Sequence, residues 1–242
     1  MRTINFANRN FKETIRDPLS IIFSILLPLF LLFIFQQFKI PNEVYKLENF
    51  TPGIVIFSFS FITLFTAALV AKDRTTSFLI RLGTSPMKSM EYILGYTLSV
   101  LPLIVIQNML FFTVAIILGL NFSINVILTM LVSIPISILF IMIGILIGSV
   151  TTEKGSSGLS SVIVQLVAFT SGMYFSAAMV GNFFQIICDI LPFQSCVNIT
   201  KGILNGNYQN MLNSSITVII YIIIVSIITI IVFKKKMTSD NK

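Results

Sequence analysis

The chain has 242 residues, of which 55% are hydrophobic and only 10% charged, whereas soluble domains carry roughly 25% charged residues. It contains no histidine and no Gly-x-x-x-x-Gly-Lys-Ser/Thr loop, which excludes the usual zinc ligand sets and ATP binding by that route. The composition therefore predicts an all-α polytopic membrane protein without a catalytic or metal site of its own.

The first predicted element is an amphipathic helix over residues 1–17. Ile4, Ala7, Phe11 and Ile15 recur at spacings of three and four residues among basic side chains, which is typical of a helix lying in the membrane interface. A disordered basic tail is the alternative.

Six apolar runs follow, and each is long enough to cross a bilayer as a helix. Pro18 and Pro52 each follow a capping residue, so we expect the first two spans to begin there. Gly144 and Gly148 in the fourth span predict close helix packing. The expected spans are residues 19–38, 52–71, 93–119, 125–149, 158–178 and 214–233.

The basic residues fall mainly on one side of the expected bundle. Of the 16 Lys and Arg, only Lys39, Lys46 and Lys201 lie opposite the two termini, so both termini are expected in the cytosol of a cell membrane. The net charge of +7 therefore indicates membrane orientation and contact with lipids, not nucleic-acid binding. Tyr92 and Tyr96 are expected to form an aromatic belt at the cytosolic face.

The expected spans carry no ionisable side chain away from their ends, which argues against a stand-alone channel or an ion-coupled secondary carrier. An intramembrane enzyme would also need such groups. The polar candidates are Gln107, Asn108 and Gln165. Amides inside a bundle more often join helices than bind substrate, and contact with substrate along a translocation path is the alternative.

The cytosolic loop over residues 72–91 contains a predicted short helix with one apolar face and basic neighbours. Lipid headgroups and a protein partner would suit this face equally well. Its defining residues are Arg74, Phe78, Leu79, Arg81, Leu82 and Gly83.

The outer segment over residues 179–212 is apolar but interrupted by Gly and Pro, which predicts a re-entrant segment that dips into the membrane and returns. Irregular backbone at membrane depth must be buried in protein or line a wet cavity, so Phe183, Phe184 and Pro192 are candidates for an outer gate. An interfacial helix without a gating role is the alternative.

Five short motifs occur in a familiar order: Thr-Pro-Gly-Ile at 51–54, Leu-Gly-Thr-Ser-Pro at 82–86, Glu-Tyr-Ile-Leu-Gly at 91–95, Ser-Gly-Met-Tyr-Phe at 171–175 and Leu-Pro-Phe at 191–193. Together they resemble the membrane permeases of bacterial ABC-2 type exporters. The family's usual acidic run before the loop is absent here.

This resemblance implies a single ABC-2 type transmembrane domain over residues 1–242 that exports an amphiphilic drug, peptide or lipid-linked substrate. It also implies a second permease chain, as a homodimer or heterodimer, and two cytosolic ATPase subunits that bind ATP and Mg, with no cofactor in this chain. The loop at 72–91 would dock on the ATPase, and Ser171 and Gly172 would join the translocation path. A bacteriocin-immunity or peptide-sensing permease is the alternative.

Overall fold

The computed structural model describes residues 2–38, 43–76, 87–174, 180–209 and 211–240, and these residues form helices and turns without any strand. The predicted all-α fold is confirmed. The elements are α1 (Arg2–Arg16), α2 (Pro18–Ile21), a π-helical turn (Ile22–Leu26), α3 (Leu27–Gln37), a 3-10 turn (Glu43–Tyr45), α4 (Leu47–Thr75), α5 (Ser89–Ile117), α6 (Ile124–Val150), α7 (Glu153–Thr170), α8 (Asn182–Ile190), α9 (Pro192–Leu204) and α10 (Met211–Asp240).

Within the described ranges, four helices are long and apolar enough to cross a membrane: α4, α5, α6 and the Met211–Met237 part of α10. The pair α8 and α9 would add a fifth span if the two were counted together, although they are bent by 79°. The shorter apolar helix Ile22–Gln37 coincides with the first expected span. A multi-pass architecture is thus confirmed, whereas the number of six spans stays a prediction.

Helix α4 forms the centre of the bundle and is buried along most of its length. Gly144 and Gly148 of α6 pack directly on it, since a Cβ atom at these positions would lie 2.7 Å from the Thr63 carbonyl oxygen and 2.5 Å from that of Ala67. The Thr63 hydroxyl also donates a hydrogen bond to the Phe140 carbonyl, at 2.9 Å. The predicted close approach at the two glycines is confirmed.

Two predicted helix boundaries differ from the structure. Helix α2 begins at Pro18 as expected, but α4 begins at Leu47, so the predicted start at Pro52 is wrong. The first turn of α4 forms because the Lys46 carbonyl accepts the Phe50 N–H at 2.8 Å. Pro52 then lies one turn inside the helix, where its missing N–H removes a single hydrogen bond.

The fifth expected span ends earlier than the apolar pattern indicates. Helix α7 stops at Thr170, and the expected end at residue 178 is wrong. Gly172 follows with a φ of +74°, a left-handed conformation that glycine adopts readily and that ends the helical path. Residues 175–179 lie outside the described part of the chain.

Helix α1 confirms the predicted amphipathic helix and excludes the disordered tail, but of the four residues expected on its apolar face only Ala7 is buried. Phe6, Ala7 and Asn10 are buried, and the Phe6 ring lies over Gly95 of α5, where any Cβ atom would collide with it. Ile4, expected on the apolar face, is exposed. Helix α1 is therefore docked on the bundle by one side.

Candidate functional site

The last turn of α4 carries a buried carboxylate. The Asp73 side chain is 1% exposed, and Nη1 of Arg9 on α1 lies 2.8 and 2.9 Å from its two oxygens. The Tyr96 hydroxyl of α5 donates a further hydrogen bond to Oδ2, at 2.8 Å. A buried charge requires such pairing, so Asp73 joins three helices at one point.

A second ion pair extends this cluster across α1 and α4. Nη2 of Arg9 lies 2.9 Å from Glu13 Oε2, and Glu13 Oε1 lies 2.7 Å from Lys72 Nζ. Exposed pairs of this kind contribute little to stability, so the buried contacts of Asp73 contribute most to holding α1 on α4. We call these five residues, Arg9, Glu13, Lys72, Asp73 and Tyr96, the α1 junction.

Aromatic packing supports the α1 junction from the apolar side. The Phe6 ring centroid lies 5.4 Å from that of Tyr92 and 5.0 Å from that of Tyr96, and both pairs are nearly perpendicular. Edge-to-face pairs of this kind are favourable. Since α1 covers Tyr92 and Tyr96 and both are fully buried, the predicted aromatic belt is wrong.

Arg74 fixes the same turn of α4 to a fourth helix. Its Nη1 atom donates to the carbonyl oxygens of Gly148 and Thr151 at the end of α6, at 3.1 and 3.4 Å. A cation is favourable at the carbonyl end of a helix. The other loop residues proposed from the sequence, Phe78, Leu79, Arg81, Leu82 and Gly83, lie outside the described residues.

The amides predicted along a translocation path occupy different environments. Gln107 and Asn108 are buried on α5. The Gln107 side chain donates to the Ser24 carbonyl of the π-helical turn at 3.1 Å, and the Asn108 side chain donates to the Ser133 hydroxyl of α6 at 2.7 Å. In the single chain both amides join helices, and their contact with a substrate stays a prediction.

Gln165, in contrast, lies on the exposed face of α7. Ser157 and Ser161 precede it at intervals of four residues and are exposed as well, so the three side chains follow one side of the helix. We call this set the α7 polar stripe. Ser171 just beyond α7 is buried, and Gly172 is half-buried, so neither extends the exposed stripe.

The predicted outer segment consists of α8 and α9 with the 79° bend between them. Pro192 is buried at the first position of α9, whereas Phe183 is 79% exposed and Phe184 is half-buried. The Tyr221 hydroxyl of α10 donates to the Ile190 carbonyl at 2.7 Å and so holds the end of α8. The bend is consistent with a re-entrant segment, and its role as a gate stays a prediction.

Comparison with known proteins identifies the family. No curated protein matches the chain significantly. The family model described as "ABC-2 type transporter" matches residues 3–205, from the first turn of α1 to the end of α9, and so includes the α1 junction and the α7 polar stripe. Because this match covers most of the chain, the protein belongs to the ABC-2 type transporter family and is a multi-pass permease component of an ABC transporter.

Proposed function

We propose that this chain is the permease half of an ATP-driven exporter in a bacterial cell membrane. It works with a second permease chain and with two cytosolic ABC ATPase subunits, which bind ATP and Mg. The exported compound is an amphiphilic drug, a peptide or a lipid-linked molecule. Membership of the ABC-2 family supports this assembly.

The charge distribution supports a cytosolic position for the α1 junction. In the topology expected from the sequence, both termini and all basic residues except Lys39, Lys46 and Lys201 are on the side of α1 and the connection between α4 and α5. The positive-inside rule assigns this side to the cytosol. The loop is then accessible to a cytosolic ATPase.

The α1 junction is the main observation that supports coupling between the ATPase subunits and the membrane helices of this chain. Residues 77–86 follow in the chain directly after the turn of α4 that Asp73 and Arg74 fix to α1, α5 and α6. Helix α5 begins soon after them with a capping box, in which the Lys88 N–H donates to Glu91 Oε2 at 2.7 Å. A movement of residues 77–86 would therefore be transmitted to the anchored helices α4 and α5. Helix α4 would transmit it to the core of the bundle.

The α7 polar stripe supports contact with a second permease chain. Ser157, Ser161 and Gln165 are exposed on a helix that packs on the central α4 with its opposite side. An exposed amide facing lipid leaves hydrogen-bonding groups unsatisfied, which is unfavourable. We therefore place this stripe against the second permease or along the translocation path between the two chains.

Docking of the loop on the ATPase is tested by single substitutions. Phe78→Ala and Leu82→Ala should each weaken co-purification of the ATPase from native membranes, because a few apolar anchors dominate helix-in-groove contacts and each contributes on the order of 1 to 4 kcal/mol. Thr75→Ala is the control, since among the described residues its exposed side chain bonds only to the Lys72 carbonyl within α4. Normal ATPase recovery with both apolar variants, at equal membrane levels, would contradict the proposed docking.

A further inference from the structure

A cavity of about 890 Å³ separates α1 from α4 beside the α1 junction. One wall is a polar stripe of α1 that includes Lys12 and Arg16, four residues apart on one side of the helix. The α4 side of the cavity is apolar at Phe65, Ala68 and Leu69, and it also includes Lys72. We call this space the α1 cavity, and its two walls match the two parts of an amphiphile.

The basic side chains that line the α1 cavity differ in whether they have an acidic partner. Arg9 and Lys72 bind Glu13, and Arg9 also binds Asp73. Lys12 and Arg16 are exposed, and within the described ranges neither has an ion-pair partner. Asp17 and Glu153 also border the cavity, so its lining carries charges of both signs. Two cations thus remain available to an anionic group.

We propose that the α1 cavity binds an anionic phospholipid of the cytosolic leaflet. The phosphate lies between Lys12 and Arg16, and the first part of an acyl chain lies against Phe65, Ala68 and Leu69. The volume falls in the range of about 300 to 1,000 Å³ that is common for small-molecule sites. The choice of leaflet rests on the cytosolic orientation given under the proposed function.

The chemistry of the cavity distinguishes a lipid from a free anion. Inorganic phosphate would use only the basic wall and would leave the apolar wall in contact with water, which is unfavourable. A zwitterionic lipid would bring its own cation close to Lys12 and Arg16. An anionic phospholipid places its phosphate on the basic wall and its acyl chain on the apolar wall. It thereby links α1 to α4 next to the α1 junction. Bound lipid should therefore stabilise the docked position of α1.

Native mass spectrometry of the delipidated chain in neutral detergent tests this site, with phosphatidylglycerol, phosphatidylcholine and inorganic phosphate as probes. We expect one saturable phosphatidylglycerol per chain and weaker binding of the other two. Lys12→Gln and Arg16→Gln should each weaken binding about fivefold, the effect of one basic residue near an anionic surface. Ala68→Phe should also weaken it, because the added ring fills the apolar wall without a change of charge.

Arg2→Gln is the matched control, because it removes an exposed positive charge from the same helix at a position that does not line the cavity. An equal loss with Arg2→Gln and Lys12→Gln would show attraction to surface charge in general and would overturn the site. So would equal binding of phosphatidylcholine, or unchanged lipid binding by Ala68→Phe. The lipid-binding assay needs no ATPase. A negative result in it would therefore not contradict the proposed docking of the ATPase, and loss of that docking would not prevent measurement of lipid binding.

Discussion

Arg9 and Asp73 form an ion pair whose partners are unequally exposed, so their substitutions should have unequal effects. The Arg9 side chain is 37% exposed, whereas that of Asp73 is 1% exposed. Arg9→Met leaves a buried carboxylate whose remaining partner, within the described part of the chain, is the Tyr96 hydroxyl. Breaking a buried pair in this way costs about 3 to 5 kcal/mol.

Asp73→Asn should cost less, on the order of 1 to 3 kcal/mol, which is the penalty for one poorly satisfied buried polar group. The charge that it leaves behind is on Arg9, which reaches solvent and keeps its contact with Glu13 at 2.9 Å. Hydrogen exchange of the α1 backbone amides measures both effects directly. A cost of about 3 kcal/mol raises the opening constant of α1 more than a hundredfold.

Arg2→Met is the control for the loss of a positive charge on α1, and it should leave the exchange of the other α1 amides unchanged. The double variant Arg9→Met with Asp73→Asn removes both charges and should recover part of the protection that Arg9→Met loses. Greater exchange in Asp73→Asn than in Arg9→Met would refute the argument from burial. Additive losses in the double variant would refute the ion pair as the cause.

Four further substitutions test the packing and the surfaces. Tyr96→Phe removes one hydrogen bond from the buried carboxylate and should loosen α1 by about 1 kcal/mol in the same exchange assay. Gly144→Leu should abolish folded protein, as judged by size-exclusion chromatography after extraction, because a Cβ atom alone would lie 2.7 Å from the α4 backbone. Gly158→Ala should leave the melting temperature of the isolated chain unchanged or raised, since an added Cβ atom would meet no described atom within 4 Å apart from its chain neighbours and its own helix backbone. Gln165→Leu should keep the same melting temperature but reduce cross-linking between permease chains.

The long apolar helices could be predicted from the sequence because their signal is local. Spans expected at 93–119 and 125–149 correspond to α5 at Ser89–Ile117 and α6 at Ile124–Val150. Hydropathy over some 20 residues is sufficient for this purpose. The ends were less predictable, because a proline pattern suits either the first turn of a helix or, as at Pro52, its second turn.

The α1 junction could not be predicted, because it joins residues that are far apart in the chain. Arg9 and Asp73 are 64 positions apart, and Asp73 lies in a charged stretch that is typical of a solvated loop. The periodicity of α1 indicated a helix, but the predicted apolar face shares only Ala7 with the buried face. Ile4 and Ile15 are exposed, whereas Phe6 is buried. The docked side of α1 is determined by the space over Gly95, which the Phe6 ring fills, and by the Asp73 carboxylate, which binds Arg9.

Three basic residues of α1, Arg9, Lys12 and Arg16, therefore have different roles, although all three are cationic side chains on the same helix. Arg9 points to the buried acid of α4, whereas Lys12 and Arg16 line the α1 cavity without an ion-pair partner in the described residues. In detergent free of lipid, Arg9→Met should increase hydrogen exchange of α1 and Lys12→Gln should not. Added phosphatidylglycerol should slow exchange in the unmodified chain but should do so less in Lys12→Gln. If Lys12→Gln loosened α1 without lipid, the two sites would be one network, and the division of tasks along α1 would be wrong.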